Sequence, residues 1–258
     1  MREHERTRDE RLVKGGMIHH PPIDESERAA TRALATSTQA RLVSDAFRAR
    51  VLEDGFACLG ARSALGSGRS RIRLYADMGD SEGTRRLARD LARFADLQDT
   101  TDHTGFRTFV AAFTGPMDVG EGRFEQKMWQ QLQDLHDVDA RAYSWDPSFS
   151  SDPDDPSFAF SIGGRAFFVV GLHGRASRVT RRFAWPTLVF NPHDQFMRLR
   201  STGRFDRLQE KIRERDLAIQ GSLNPMLGDF GIRSEARQYA GRAVEDDWRC
   251  PFRRREAG

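Results

Sequence analysis

Two histidines stand at the ends of two apolar runs. Ala166-Phe167-Phe168-Val169-Val170-Gly171-Leu172 leads into His173, and Thr187-Leu188-Val189-Phe190-Asn191-Pro192 leads into His193. Between them lie Arg175, Arg178, Arg181 and Arg182. A neutral imidazole ligates metals, and a guanidinium binds carboxylates with a fork of donors. The stretch therefore holds what a haem site requires: an axial ligand, a second ring for the opposite face, and cations for the propionates. On this reading His173 and His193 are the iron ligands and catalytic residues. Arg178, Arg181 and Arg182 are the expected cofactor-binding cations, and the cofactor is haem b.

Those side chains must be positioned by the elements around them. Residues Ser26 to Glu53 repeat apolar positions (Leu34, Leu42, Val43, Phe47, Val51) at helical spacing. Arg71 to Tyr75 reads as a strand, Thr84 to Leu97 as a helix with Leu87, Leu91 and Phe94 on one face, and Phe106 to Phe113 as a strand. A helix is expected from about Gly122 to Asp137. Trp145 to Pro156 carries four aspartates and three prolines and reads as a loop. Gly163-Gly164 joins two strands as a two-residue hairpin. Beyond His193, Asp194 to Arg200 and Phe205 to Gln220 are helical, and the remainder from Gly221 wraps over the surface. No repeat is apparent, so the fold class is α+β, a single domain with a mixed β-sheet flanked by helices. The thirteen residues 174–186 permit two connections. A crossover makes the strands parallel and brings both histidines to one edge of the sheet, whereas an antiparallel turn puts them at opposite edges.

With 258 residues, 38% hydrophobic and 31% charged, the chain can bury one sizeable core. Its 41 basic residues are nearly matched by 38 acidic ones and are spread along the chain, a mixed solvated surface rather than a nucleic-acid footprint. No apolar run approaches the roughly 18 residues that would cross a membrane. The N-terminus has no signal-peptide core, and two cysteines are too few for a disulfide framework, so a cytoplasmic protein is expected. Residues 1–25, with His19-His20, read as a mobile extension, and 26–258 as the catalytic domain. No GxGxxG, Walker or HExxH motif supports a nucleotide-dependent or zinc enzyme.

Several motifs are similar to the YqcI/YcgG family, and in particular to its haem-dependent N-hydroxylase branch. They are His173 to Phe183 (HGRASRVTRRF), Trp185 to Phe196 (WPTLVFNPHDQF), Leu135-His136-Asp137-Val138-Asp139, Asp152-Pro153-Asp154-Asp155-Pro156, Asn224-Pro225-Met226 and Cys250-Pro251-Phe252. The resemblance runs from about Phe56 to Phe252. It departs from the family pattern at Gly174, Ala176 and Ala57, where proline, serine and proline are expected. It implies a monooxygenase that hydroxylates the guanidino nitrogen of L-arginine or an arginine-derived amino acid, in a specialised-metabolite pathway such as antibiotic biosynthesis. The implied partners are that small molecule, dioxygen or peroxide, and an external electron donor, with room for a homodimer and no role for nucleic acid or membrane.

Chemistry raises a rival to the histidines. Oxygenating an unactivated nitrogen requires O–O cleavage, which a thiolate ligand promotes. Cys250, beside Arg249, is predisposed to ionise and is a third candidate for the iron. Alternatively, Cys58 and Cys250 are small buried residues. His136, on an amphipathic helix near Asp137 and Asp139, reads as a core histidine. A guanidinium substrate needs carboxylates, for which Asp152, Asp154 and Asp155 are expected, with Glu235 and Asp229 behind them. Two other functions fit the same residues. One is a non-catalytic haem carrier or sensor gripping the iron with both histidines; the other is a metal-free binding protein whose histidines are structural.

Overall fold

The structure is a computed structural model that describes residues 25–54, 56–97, 105–228 and 231–255. Residues 1–24, with His19 and His20, and Asp229 lie outside the described residues. Two compact units divide the chain, residues 1–38 and 39–258. Of the first, only a helical stretch from Glu25 is described. The second holds every strand of the sheet.

Helix α1 (Glu25–Leu52) buries Val43, Phe47 and Val51, each one helical turn from the next. Helix α2 (Leu59–Gly66) comes next, with Cys58 as its N-cap. Strand β1 (Ser70–Tyr75) leads to α3 (Ser81–Asp96), whose N-terminus is capped by the Asp80 carboxylate accepting from the Gly83 N–H at 2.6 Å. All six residues of β2 (Thr108–Phe113) are buried, because both faces of this central strand are covered. Helix α4 (Glu121–Asp139) precedes the acidic, proline-containing loop. Strands β3 (Phe160–Ile162) and β4 (Arg165–Leu172) are then joined by Gly163 and Gly164 at φ 58° and 70°. A hairpin of this kind needs positive φ at both central residues. Gly163 is further fixed by space, since a Cβ there would lie 2.9 Å from the Ala92 Cα.

Strand β5 (Thr187–Pro192) runs straight into α5 (His193–Ser201), followed by α6 (Phe205–Gln220) and the short α7 (Ala236–Tyr239). The sheet order is β1-β2-β5-β4-β3, with β1 parallel to β2 and every other pair antiparallel. The architecture is thus α+β around a mixed sheet. One face packs on α3 and α4 through residues such as Leu87, Leu91, Phe124, Met128 and Phe167. The other packs on α1 and α2 through Val43, Phe47, Leu65, Val110 and Val189.

Two features differ from the sequence expectation. The eight residues of α2 are too short to show a repeating apolar pattern. The segment beyond α6 is not a surface wrap, because Tyr239, Cys250 and Phe252 are 0–1% exposed and belong to the core on the α3/α4 face. Scattered large side chains anchor it without any local periodicity. Among the described residues no helix is long and apolar enough to cross a membrane.

Candidate functional site

The connection between the two histidine-bearing strands is an antiparallel one. Leu172 pairs with Thr187 and Phe167 with Pro192. The His173 N–H continues the ladder to the Arg181 carbonyl at 3.1 Å, with a 3-10 turn over Val179–Arg181 closing the connection. His173 and His193 therefore sit at opposite ends of the ladder, roughly 24 Å apart along it at about 3.4 Å per residue. They also leave opposite faces of the sheet. Two axial ligands of one iron must lie across the metal from each other, so no single haem is gripped by both. The paired-histidine arrangement expected from the sequence does not form.

The His193 end opens on a cavity of about 320 Å³, within the range of small-molecule and cofactor sites. Val170, Leu172, Val189, Asn191 and His193 line it from β4, β5 and the β5–α5 junction, with Phe47, Phe56, Phe106, Phe196 and Phe205 among its aromatic walls. Period-2 alternation brings those strand residues to one face. His193 is 3% exposed, and its Nε2–H donates to the Glu235 Oε2 at 2.7 Å. The other carboxylate oxygen, Oε1, accepts from the Tyr239 hydroxyl at 2.5 Å, and that hydroxyl accepts from the Phe160 N–H at 3.2 Å. Burial first, and then the neighbouring Glu235, push the Tyr239 hydroxyl well above its ordinary range, so it stays protonated and donating. Gly171 lets α7 approach β4, because a Cβ there would meet the Phe124 ring at 2.7 Å and the Tyr239 carbonyl at 3.0 Å.

Cys58 also lines this cavity. Its sulfur faces the open space and accepts from the Ala61 N–H at 3.4 Å, at the N-terminus of α2. Enclosure by the surrounding protein raises its pKa. The Ala61 and Gly60 backbone N–H groups and the Arg181 guanidinium act in the opposite sense and favour the thiolate. The residues point to Cys250 for the thiol role and not to Cys58, whose legible signal is a cysteine immediately before a helical start.

Of the three arginines expected to hold propionates, Arg178 and Arg181 line the cavity and Arg182 does not. Arg178 is committed to a buried ion pair with Asp216 and donates to the Ser222 carbonyl at 2.7 Å. Arg181 donates to the carbonyls of Gly171, Tyr239 and Gln238, and burial lowers its pKa to about 10. Arg182 bonds the Ala176 carbonyl at 2.7 Å. These groups tie the connection down. The further guanidiniums lining the cavity are Arg107, Arg200, Arg213 and Arg233.

The remaining sequence candidates lie elsewhere. His173 is 2% exposed and stacks on Phe124 at 4.4 Å and 21°, and neither ring nitrogen has a well-aligned hydrogen-bond partner. Burial lowers its pKa, against the Glu121 carboxylate and the Val119 backbone. Cys250 is 1% exposed in the α3/α4 core, and desolvation raises its thiol to about 12, the reverse of the expected ionisation. His136 accepts from the Arg255 N–H at 3.0 Å and meets Trp145 and Phe252 edge-on, a core role as expected. Asp152, Asp154 and Asp155 do not line the cavity. Asp152 caps the Asp154 N–H and Asp155 that of Ser157, at 3.0 and 2.7 Å, so two of these carboxylates shape their own loop. Among the described residues, the carboxylates at the cavity are Glu235 and Asp216.

Comparison with known proteins covers most of this framework. A family model described as the YqcI/YcgG family matches residues 47–253, a span holding Cys58, His193, Glu235 and Tyr239. The chain is similar to "Uncharacterized protein YqcI" of Bacillus subtilis (strain 168), at 27% identity over 210 residues, covering 78% of this chain and 81% of that protein. No solved structure matches.

Proposed function

The chain belongs to the YqcI/YcgG family, and we propose that within it this protein is a haem-dependent monooxygenase hydroxylating the guanidino group of L-arginine or an arginine-derived amino acid. One observation carries the reading. A thiol at a helix N-terminus, a buried imidazole–carboxylate pair and several guanidiniums line one mainly apolar, aromatic-walled cavity. Those donors fit a flat apolar group with acidic substituents.

Cys58 would hold the iron through its sulfur, which lines the cavity at the N-terminus of α2, and Arg107, Arg200, Arg213 or Arg233 would hold the propionates. When bound, the haem supplies the oxygen activation that side chains alone cannot. The chain's own contribution is exclusion of water by the phenylalanine walls and orientation of the nitrogen by the His193–Glu235 pair. Insertion of one oxygen atom into the N–H bond gives an N-hydroxyguanidine. With dioxygen, the second oxygen atom leaves as water, at the expense of two electrons from an external donor and two protons; with peroxide no donor is required.

The test is absorption spectroscopy of protein produced with a haem precursor, in ferric, ferrous and ferrous-CO forms, together with assay for hydroxylated L-arginine. The expected result is a red-shifted ferrous-CO band that disappears in Cys58→Ala and survives in Cys250→Ala, His173→Ala and His193→Ala. A colourless wild type removes haem from the account, and a band lost only in His193→Ala moves the ligand to the imidazole.

A further inference from the structure

We propose that Glu235 is the group that receives the cationic head of the substrate, with His193 and Tyr239 as its positioning residues; this rests on the cavity being the substrate site. The buried carboxylates of the protein settle their charge in different ways. Asp216 has Arg178 and Glu125 has Arg242, each a fixed ion pair. Asp139 accepts from the Gly163 N–H at 3.0 Å, and burial raises its pKa to about 6, easing the proton on rather than pairing the charge. Glu235, 4% exposed and lining the cavity, is held by an imidazole and a phenol, and no arginine or lysine side chain is within ion-pair distance of it among the described residues.

A carboxylate that far from water needs compensation for its charge. The His193 and Tyr239 donors fix its orientation. They also occupy one side of each oxygen, leaving a second lone-pair direction on both. A planar cation with two parallel N–H groups, a guanidinium or an amidinium, matches that pair of directions with a forked contact. An ammonium, with a single point of charge, engages them less well. Asp216 is not available for this role because its partner is already in place, and Asp152, Asp154 and Asp155 do not line the cavity. The polar end of the cavity is thus built for a flat cation, and the phenylalanine walls for what carries it.

The experiment is titration calorimetry of the full chain with L-arginine and with L-citrulline, which replaces the guanidinium by a neutral urea of nearly the same shape. It is run on wild type, Glu235→Gln and, as a control in the acidic loop, Asp152→Asn, with the absorption spectrum recorded on each sample. Wild type is expected to bind L-arginine about 100-fold or more tighter than L-citrulline. Glu235→Gln should weaken L-arginine by at least about tenfold while leaving L-citrulline and the spectrum unchanged, and Asp152→Asn should match wild type. Undiminished L-arginine affinity in Glu235→Gln overturns the assignment, as does a wild type that binds the two ligands equally. Haem and substrate readings fail separately: a colourless protein that still selects L-arginine through Glu235 sinks only the haem, and a coloured one indifferent to Glu235→Gln sinks only this proposal. Should Glu235→Gln not fold, Tyr239→Phe decides. That variant removes the hydroxyl that orients the carboxylate, and a folded protein with unchanged L-arginine affinity overturns the proposal while a weakened one supports it.

Discussion

At one end of the β4–β5 ladder His173 lies flat on Phe124 at 4.4 Å, with neither nitrogen well bonded; at the other, His193 donates to Glu235 at 2.7 Å beside a cavity. Both rings are at most 3% exposed, and both follow an apolar strand. What separates them is the partner each meets. The ring at the first end is used as a flat apolar plate, stacked on Phe124 of the α3/α4 face. The ring at the second end is used for its N–H, and it enters a polar chain running from His193 through Glu235 and Tyr239 to the Phe160 backbone. Burial of a histidine says little about its role until the atoms around its nitrogens are known.

If the His173 end is packing alone, its largest dependence is on the ring beneath it. Phe124 is 1% exposed, and Phe124→Ala should cost about 3–5 kcal/mol in urea unfolding. Ligand binding in the cavity, measured on the folded fraction, should not change. A parallel loss of binding would show that the two ends are coupled and would break the comparison.

The same substitution at both ends should give effects of opposite sign. His193→Leu leaves the Glu235 Oε2 without its donor and should destabilise by about 1–3 kcal/mol, whereas His173→Leu replaces two poorly bonded buried nitrogens by carbon and should be neutral or stabilise by about 1 kcal/mol. Chemical denaturation of the two variants side by side checks this. Equal losses would mean that His173 has a polar role after all.

The smallest effect is in the pH dependence. Because burial lowers the His173 pKa, the unfolded chain binds the proton more readily, so stability falls as pH drops below the unfolded value of about 6.5. The slope is at most about 1.4 kcal/mol per pH unit for one histidine. His136, also lowered by burial, acts in the same sense, while Asp139, raised to about 6, gains stability as pH falls from there toward 4. The difference between wild type and His173→Leu removes those shared contributions, and should grow below pH 6.5 in favour of the variant. A difference that is flat with pH would mean that His173 does not titrate on unfolding.

Much of the framework was legible in the residues. Alternation and helical spacing marked β1, α3 and α4, a short continuous apolar run marked β2, and paired glycines marked the Gly163-Gly164 hairpin, because each is a pattern among neighbouring residues. The short helix α2, capped by Cys58, was missed, since eight residues carry too little periodicity to be seen. The buried tail from Tyr239 to Phe252 was missed because its anchors are far apart in sequence and meet only in the core. Glu235 and Tyr239 stand one helical turn apart, a spacing that places them on one face, yet nothing local joins either to His193, 42 residues away from Glu235.

The sequence by itself determined the element types, the two strands that end on histidine and the family to which the chain belongs. Periodicity, turn chemistry and motif are properties of neighbouring residues. Tertiary structure alone decided that β4 and β5 run antiparallel. A connection of thirteen residues allows either direction, and the choice was made by the packing of the strands on each other and of α1 through α4 on the two faces of the sheet. That one decision put His173 and His193 at opposite ends of the ladder, with His193 lining the cavity.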